Sequence, residues 1–262
     1  MSFEINNVIL ICTVLLFFYF LFFKFLDKFK FLYDVNYNKP QAIHNSPIPI
    51  IGGFFLFLAV ISFAYKDLNN KLFLDIYLIL TLCFIIGFLD DLKIMQSPKK
   101  RFFYFFILMF ISSIYFDLKI TNFEINFINE LNKNIFIAAI LFFCCIFISA
   151  NGANLLDGLN GFILIKTFSI LTSLLFVCVK EELFILSELI LYFILSILLI
   201  IFLNFPKAKI FMGDSGSYLL GSFIGMVCIK INSMSTDVSP FYLAGLNLYF
   251  FTEIIFSVIR KI

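Results

Sequence analysis

From Leu183 to Leu203 the chain runs for 21 residues with a single charged side chain, Glu188. As a helix such a run crosses the ~30 Å hydrocarbon core of a bilayer, which takes about 20 residues. In lipid every backbone N–H and C=O must be paired internally, so this kind of segment has one practical fold, the transmembrane helix. The pattern recurs along the sequence. Nine candidate spans are read at about 5–23, 50–65, 73–89, 102–118, 134–150, 162–179, 183–203, 215–231 and 241–259. The shorter ones are expected to stand nearly upright, or to carry polar flanks at headgroup depth. Composition agrees: 62% of residues are apolar and 14% charged, against about 45–50% and about 25% in soluble domains. No polar stretch is long enough to fold separately. The expected fold is therefore all-α, a polytopic transmembrane bundle of about nine spans forming a single domain over 1–262.

The first span is read as retained rather than cleaved. It has no basic flank before it and no small-residue cleavage site after it. Its apolar run, Val8 to Phe23, exceeds the about 7–15 residues of a signal-peptide core. The six cysteines all lie in apolar runs without a CxxC pair, so they read as small hydrophobes. The 41 phenylalanines read as lipid-facing bulk. A net charge of +2 gives no reason to expect a nucleic-acid partner.

Loop charge sets the expected orientation. Loops following odd-numbered spans hold 12 of the 19 Lys and Arg residues, those following even-numbered spans 6. By the positive-inside rule the odd loops face the cytoplasm and the N-terminus lies outside. The even loops read as connectors. At Leu118 to Phe127 apolar and polar residues alternate, which predicts a short outer strand or hairpin.

Four polar patches stand out, all in loops of the cytoplasmic set. "HNSPIPIIGG" holds His44, the chain's single histidine, with prolines that favour an extended approach and glycines that let backbone pass close to another group. Taken alone, His44 is an ordinary loop histidine. "FLDDLKIMQSPKKRF" ends an apolar span with Asp90 and Asp91, then presents Lys99, Lys100 and Arg101. Adjacent carboxylates repel unless a cation or a proton intervenes. "NGANLLDGLNG" places Asn151, Asn154 and Asp157 at intervals of three, one face of a helical turn. "FMGDSGSYLLG" surrounds Asp214 with Gly213, Ser215, Gly216 and Ser217 at the start of a span. Asp214 or Ser215 can cap that helix, whose N-terminus favours anions. Together the patches offer hard oxygen ligands, cationic side chains and close-approach glycines. Mg²⁺ takes one or two carboxylates along with phosphates and water, so the combination points to phosphoryl transfer at a membrane surface.

With these four motifs in this order, the chain resembles the polyprenyl-phosphate N-acetylhexosamine-1-phosphate transferases, glycosyltransferase family 4, from about Lys39 to Arg260. The resemblance implies transfer of a sugar-1-phosphate from a UDP-N-acetylhexosamine to undecaprenyl phosphate, with release of UMP, at the start of a cell-envelope glycan. It implies an Mg²⁺ cofactor, with Mn²⁺ as a substitute, and a multi-pass protein of the bacterial inner membrane working on its cytoplasmic face. By motif, Asp214 and Asn154 would hold the metal, and Asp90, Asp91 and Asp157 would be catalytic. His44, Lys99, Lys100, Arg101, Asn151, Gly213 and Ser215 would bind substrate. A homodimer is compatible with this reading.

One departure is visible. Relatives of the glycan-initiating branch continue past the last span into a cytoplasmic loop with a His-rich motif, and "FFTEIIFSVIRKI" closes this sequence where that loop is expected. Two alternatives therefore stand beside the enzyme: an inactive truncated remnant or split-gene part, and a transporter built around Glu188, Asn247 and Glu253.

Overall fold

The computed structural model describes residues 32–34, 47–67, 73–95, 97–158 and 160–260. The first candidate span, and with it the expected side of the N-terminus, lies outside the described residues, as does His44. Two short strands, β1 (Tyr33–Asp34) and β2 (Ile48–Pro49), pair antiparallel ahead of the bundle. The helices follow in order: α1 (Gly52–Asp67), α2 (Leu74–Asp91), α3 (Pro98–Phe116), α4 (Asn126–Leu131), α5 (Ile135–Leu156), α6 (Phe162–Lys180), α7 (Phe184–Asn204), α8 (Gly213–Met234), α9 (Pro240–Leu246) and α10 (Leu248–Ile259). Four of them, α5 to α8, are long and apolar enough to cross a membrane, and a fifth crossing arises if α9 and α10 count as one span. The chain is an all-α integral membrane bundle.

The arrangement is centred on α8, the least apolar of the four long spans. Its most apolar stretch is 83% buried, against 39–56% in the other three. Lipid accepts apolar side chains, so the small and polar residues of α8 are placed inside; they share the interior with large rings such as Phe105, Phe142, Phe193 and Phe223, which corrects the reading of the phenylalanines as lipid-facing bulk. Gly216, Ser217, Gly221, Ser222 and Gly225 let α8 be approached closely by α1, α2, α5 and α6. At Gly87 of α2 an added Cβ would stand 2.5 Å from both the Asp214 carbonyl oxygen and Ser215 Cα. The α2–α8 pair is tied at its far end too, where Lys230 and Asp75 form a buried ion pair at 2.5 Å. Lys230 lies in the body of α8.

Two expectations about the outer segments are corrected. No strand forms at Leu118 to Phe127. Thr121 and Asn122 donate their N–H groups to Asn232 Oδ1 at 3.0 and 3.3 Å, and Asn232 Nδ2 returns a bond to the Asn122 carbonyl at 2.9 Å. Asparagine side chains thus take the backbone groups that a hairpin would have paired, and α4 starts at Asn126. The expected span at 241–259 is broken: α9 and α10 meet at 56°. The break falls at Asn247, whose side chain donates to the Leu243 carbonyl at 3.1 Å and receives the Ser149 hydroxyl at 3.3 Å.

Candidate active site

The site is assembled around the first turn of α8. The segment preceding α1 runs alongside the one preceding α8: Phe211 N–H donates to the Pro49 carbonyl at 2.8 Å, Gly52 N–H to Phe211 O at 2.9 Å and Gly53 N–H to Met212 O at 3.0 Å. The first and fourth patches are therefore joined through backbone, which explains the glycine pair at the start of α1. Gly213 turns the chain into α8 with φ +74, a left-handed value, and a Cβ there would press within 2.8 Å of Asp91 Oδ2.

Asp91 reaches across from the end of α2. Its carboxylate accepts Asp214 N–H at 2.8 Å, Ser215 N–H at 3.0 Å and the Ser215 hydroxyl at 2.6 Å. The N-cap position of α8 falls at Met212, which makes no side-chain cap bond. The expectation that Asp214 or Ser215 caps this helix is thus replaced by a cap from another helix. The anion at this helix start is a protein carboxylate, so the first two N–H groups already have their acceptor. Burial pushes Asp91 up to about 6, against the lowering effect of its Ser215 bond, and the charge of Asp214 adds to the rise.

The paired aspartates part company here. Asp90 contacts Arg101, on the first turn of α3, and the same guanidinium nitrogen lies 3.6 Å from Asp214 Oδ2. Lys99 and Lys100 precede Arg101 on that turn but are exposed. Of the three cations read from the sequence, one enters the carboxylate cluster and two stay at its rim.

The third patch closes the opposite wall. Asn151 and Asn154 occupy the last turn of α5, and Asp157 follows at its C-terminal cap. The Tyr218 hydroxyl of α8 donates to Asn151 Oδ1 at 3.2 Å and also reaches the Asn154 side chain. Burial, then the charges of Asp214 and Asp91, hold the Asp157 carboxyl well above the usual carboxylate range. Asp157 therefore feels the other carboxylates although 57 residues of sequence separate it from Asp214.

Two residues that sequence reasoning passed over organise this wall. Tyr218 joins α5 to α8. Asn204, buried at the end of α7, accepts Gly161 N–H and donates to the Ile210 carbonyl at 2.8 Å, holding the loop after α5 against the loop before α8. A single amide closing a 20-residue apolar run was its only signal.

Among the described residues no three His, Cys, Asp or Glu side chains come together as a metal cage. A hard divalent cation would need only one or two carboxylates here, with its remaining ligands from phosphate and water. Asp214, Asp157 and the Asn154 amide provide oxygen donors of the appropriate hardness, and the mutual charge of the carboxylates favours a cation. A separate apolar cavity of about 330 Å³ lies between α5, the far half of α8 and the α9–α10 break, touching Gly225, Ile229 and Leu243.

The family model of glycosyl transferase family 4 matches residues 73–232, a stretch holding the second, third and fourth patches. A phospho-N-acetylmuramoyl-pentapeptide-transferase of Prochlorococcus marinus is 34% identical over 90% of this chain and 72% of its own length. A probable undecaprenyl-phosphate N-acetylglucosaminyl 1-phosphate transferase of Bacillus subtilis is 28% identical over 87% of this chain and 64% of its own. An undecaprenyl-phosphate alpha-N-acetylglucosaminyl 1-phosphate transferase of Thermotoga maritima is 27% identical over 91% and 68%.

Proposed function

The chain belongs to glycosyl transferase family 4, and on that premise we propose that it transfers a sugar-1-phosphate from a UDP-N-acetylhexosamine to undecaprenyl phosphate, releasing UMP. Two relatives are named for undecaprenyl phosphate and an N-acetylglucosaminyl 1-phosphate group, which supports the acceptor and the kind of group transferred. The observation that carries the chemistry is the meeting of Asp90, Arg101 and Asp214, from three helices, beside the charge-coupled Asp157.

Donor diphosphate and acceptor phosphate are both anionic, so the site must offset their repulsion before in-line attack can occur. Asp214 and Asn154 would hold Mg²⁺, which would supply neutralisation of the donor diphosphate, with Asp157 as a catalytic carboxylate beside them. Arg101 adds a guanidinium at the centre, and the exposed Lys99 and Lys100 offer further positive charge at the rim. Asp91 keeps α8 in place through three hydrogen bonds, so its role is positional. Asp90, whose partner is a side chain rather than backbone, is the carboxylate placed near the acceptor phosphate. Asn151, held by Tyr218, would line the nucleotide-sugar side with Gly213, while Ser215, whose N–H and hydroxyl both go to Asp91, would steady that wall from behind.

The reading places nine spans in a bacterial inner membrane, the N-terminus outside and the site on the cytoplasmic face. The test is an assay of the full chain in membranes with undecaprenyl phosphate and a panel of radiolabelled UDP-N-acetylhexosamines. A lipid-linked radiolabelled product with one donor is expected. No product with any donor, under conditions where a relative is active, would contradict the reading.

A further inference from the structure

We propose that Arg101 and Mg²⁺ compete for Asp214, so that metal and diphosphate bind cooperatively through the transfer of this one guanidinium from carboxylate to phosphate. The inference rests on the metal reading given above and adds to it how the site is regulated.

The argument starts from charge. Asp90 and Asp214 come from different helices, and their side chains are 10% and 36% exposed. Carboxylates drawn together with this little water need a cation between them. One nitrogen of Arg101 touches Asp90 and lies 3.6 Å from Asp214, so it fills that need. Its neighbours Lys99 and Lys100 do not enter. A guanidinium suits the position because its planar fork can serve two acceptors and cannot lose its proton.

A divalent cation binding Asp214 must weaken the Arg101 contact, since both draw on the same carboxylate. For the metal alone this is a loss with no return. With a diphosphate present, the displaced guanidinium gains phosphate oxygens, its preferred partners. The Tyr218 ring, 5.9 Å from the guanidinium carbon, offers a surface over which it can move while remaining partly desolvated. Metal and diphosphate therefore each raise the other's affinity, and by linkage the factor is the same in both directions.

The test is calorimetric titration of the full chain with Mg²⁺ alone, UDP alone, and each in the presence of the other. In the wild type each should tighten the other at least about tenfold. Arg101→Gln should bind Mg²⁺ alone about tenfold more tightly, because the competitor is gone, with coupling at least about threefold smaller than in the wild type, the remainder being the direct attraction of Mg²⁺ for the diphosphate. Arg101→Lys keeps the charge but not the fork, and should shift in the same direction by less. Lys93→Gln removes an exposed charge close in sequence and should stay within about twofold of wild type. If Arg101→Gln binds Mg²⁺ no better than wild type, or if Arg101→Lys matches wild type throughout, the proposal is overturned. Should Arg101→Gln fail to fold, absent coupling in the wild type overturns it equally. Failure of the metal reading looks different: Mg²⁺ would then bind neither wild type nor any variant, whereas Asp214-dependent binding that ignores Arg101 removes only the competition.

Discussion

At the scale of single residues, the site concentrates negative charge that the fold itself does not favour. Asp157 illustrates this. Its carboxyl is raised above the ordinary range, by burial first and then by Asp214 and Asp91. The folded state therefore holds this proton more tightly than the unfolded state does. Between the unfolded value and the raised folded value, stability falls as pH rises, because ionisation is penalised only in the fold. Asp157→Asn should consequently melt higher than wild type at pH 8 without Mg²⁺, on the order of 2–4 °C, and the gap should close as pH falls toward 4. Thermal unfolding across pH checks this, and an Asn variant that melts lower at pH 8 would show that the charge supports the fold. The polar patches themselves were legible because short clusters of Asp, Asn, Ser and Gly are conspicuous between apolar runs. The division of labour within them was not. Asp90 and Asp91 are chemically identical and adjacent, and only the partners across the bundle, Arg101 for one and the α8 backbone for the other, tell them apart.

At the scale of elements, the α2–α8 pair sets the geometry. One end is closed by Asp91 on the α8 start, the other by the Asp75–Lys230 ion pair. Gly87 lies against the α8 backbone, and a methyl group there must push Asp214 and Ser215 away from Asp91. Gly87→Ala is expected to lower turnover at least about tenfold while the protein still folds, since small displacements of positioned groups are severe for catalysis. Steady-state kinetics beside thermal unfolding separate the two effects, and unchanged turnover would show that the contact yields. Lys230→Met strands Asp75 in a buried setting and should destabilise by about 3–5 kcal/mol. Asp75→Asn/Lys230→Met should recover most of that loss in chemical denaturation, and a double variant no better than the single one would argue that the pair is not coupled. Helix existence could be read from hydropathy; the break at Asn247 could not, because it depends on Ser149 and Leu243 engaging the two ends of one amide.

At the scale of the whole molecule, lipid sorts residues in a way opposite to water. The outer surface accepts Phe, Ile and Leu that water would reject, and the interior holds the same residue types together with the Gly- and Ser-rich α8. The fold class was legible for that reason, since apolar runs of span length admit few alternatives. The centrality of α8 was not, because its small residues gain meaning only from the helices that approach them. Sidedness is tested by single cysteines at the two ends of the bundle, in a background lacking the native ones. Lys99→Cys should react with an impermeant thiol reagent only when it is supplied at the cytoplasmic face, and Asp237→Cys only from outside. Labelling of both from one side would overturn the orientation.

The central claim is that the first turn of α8 carries the metal-dependent step, and one measurement bears on it most directly: Mg²⁺ titration of UMP release by wild type and by Asp214→Asn, with undecaprenyl phosphate and the preferred UDP-sugar. The Asp91 bonds go to backbone N–H groups and to Ser215, so Asn at 214 leaves the docking of α8 intact. The account predicts turnover that rises with Mg²⁺ in the wild type and is at least about 10²-fold lower in Asp214→Asn. Equal turnover in the two, or wild-type turnover that persists in excess chelator, would contradict it.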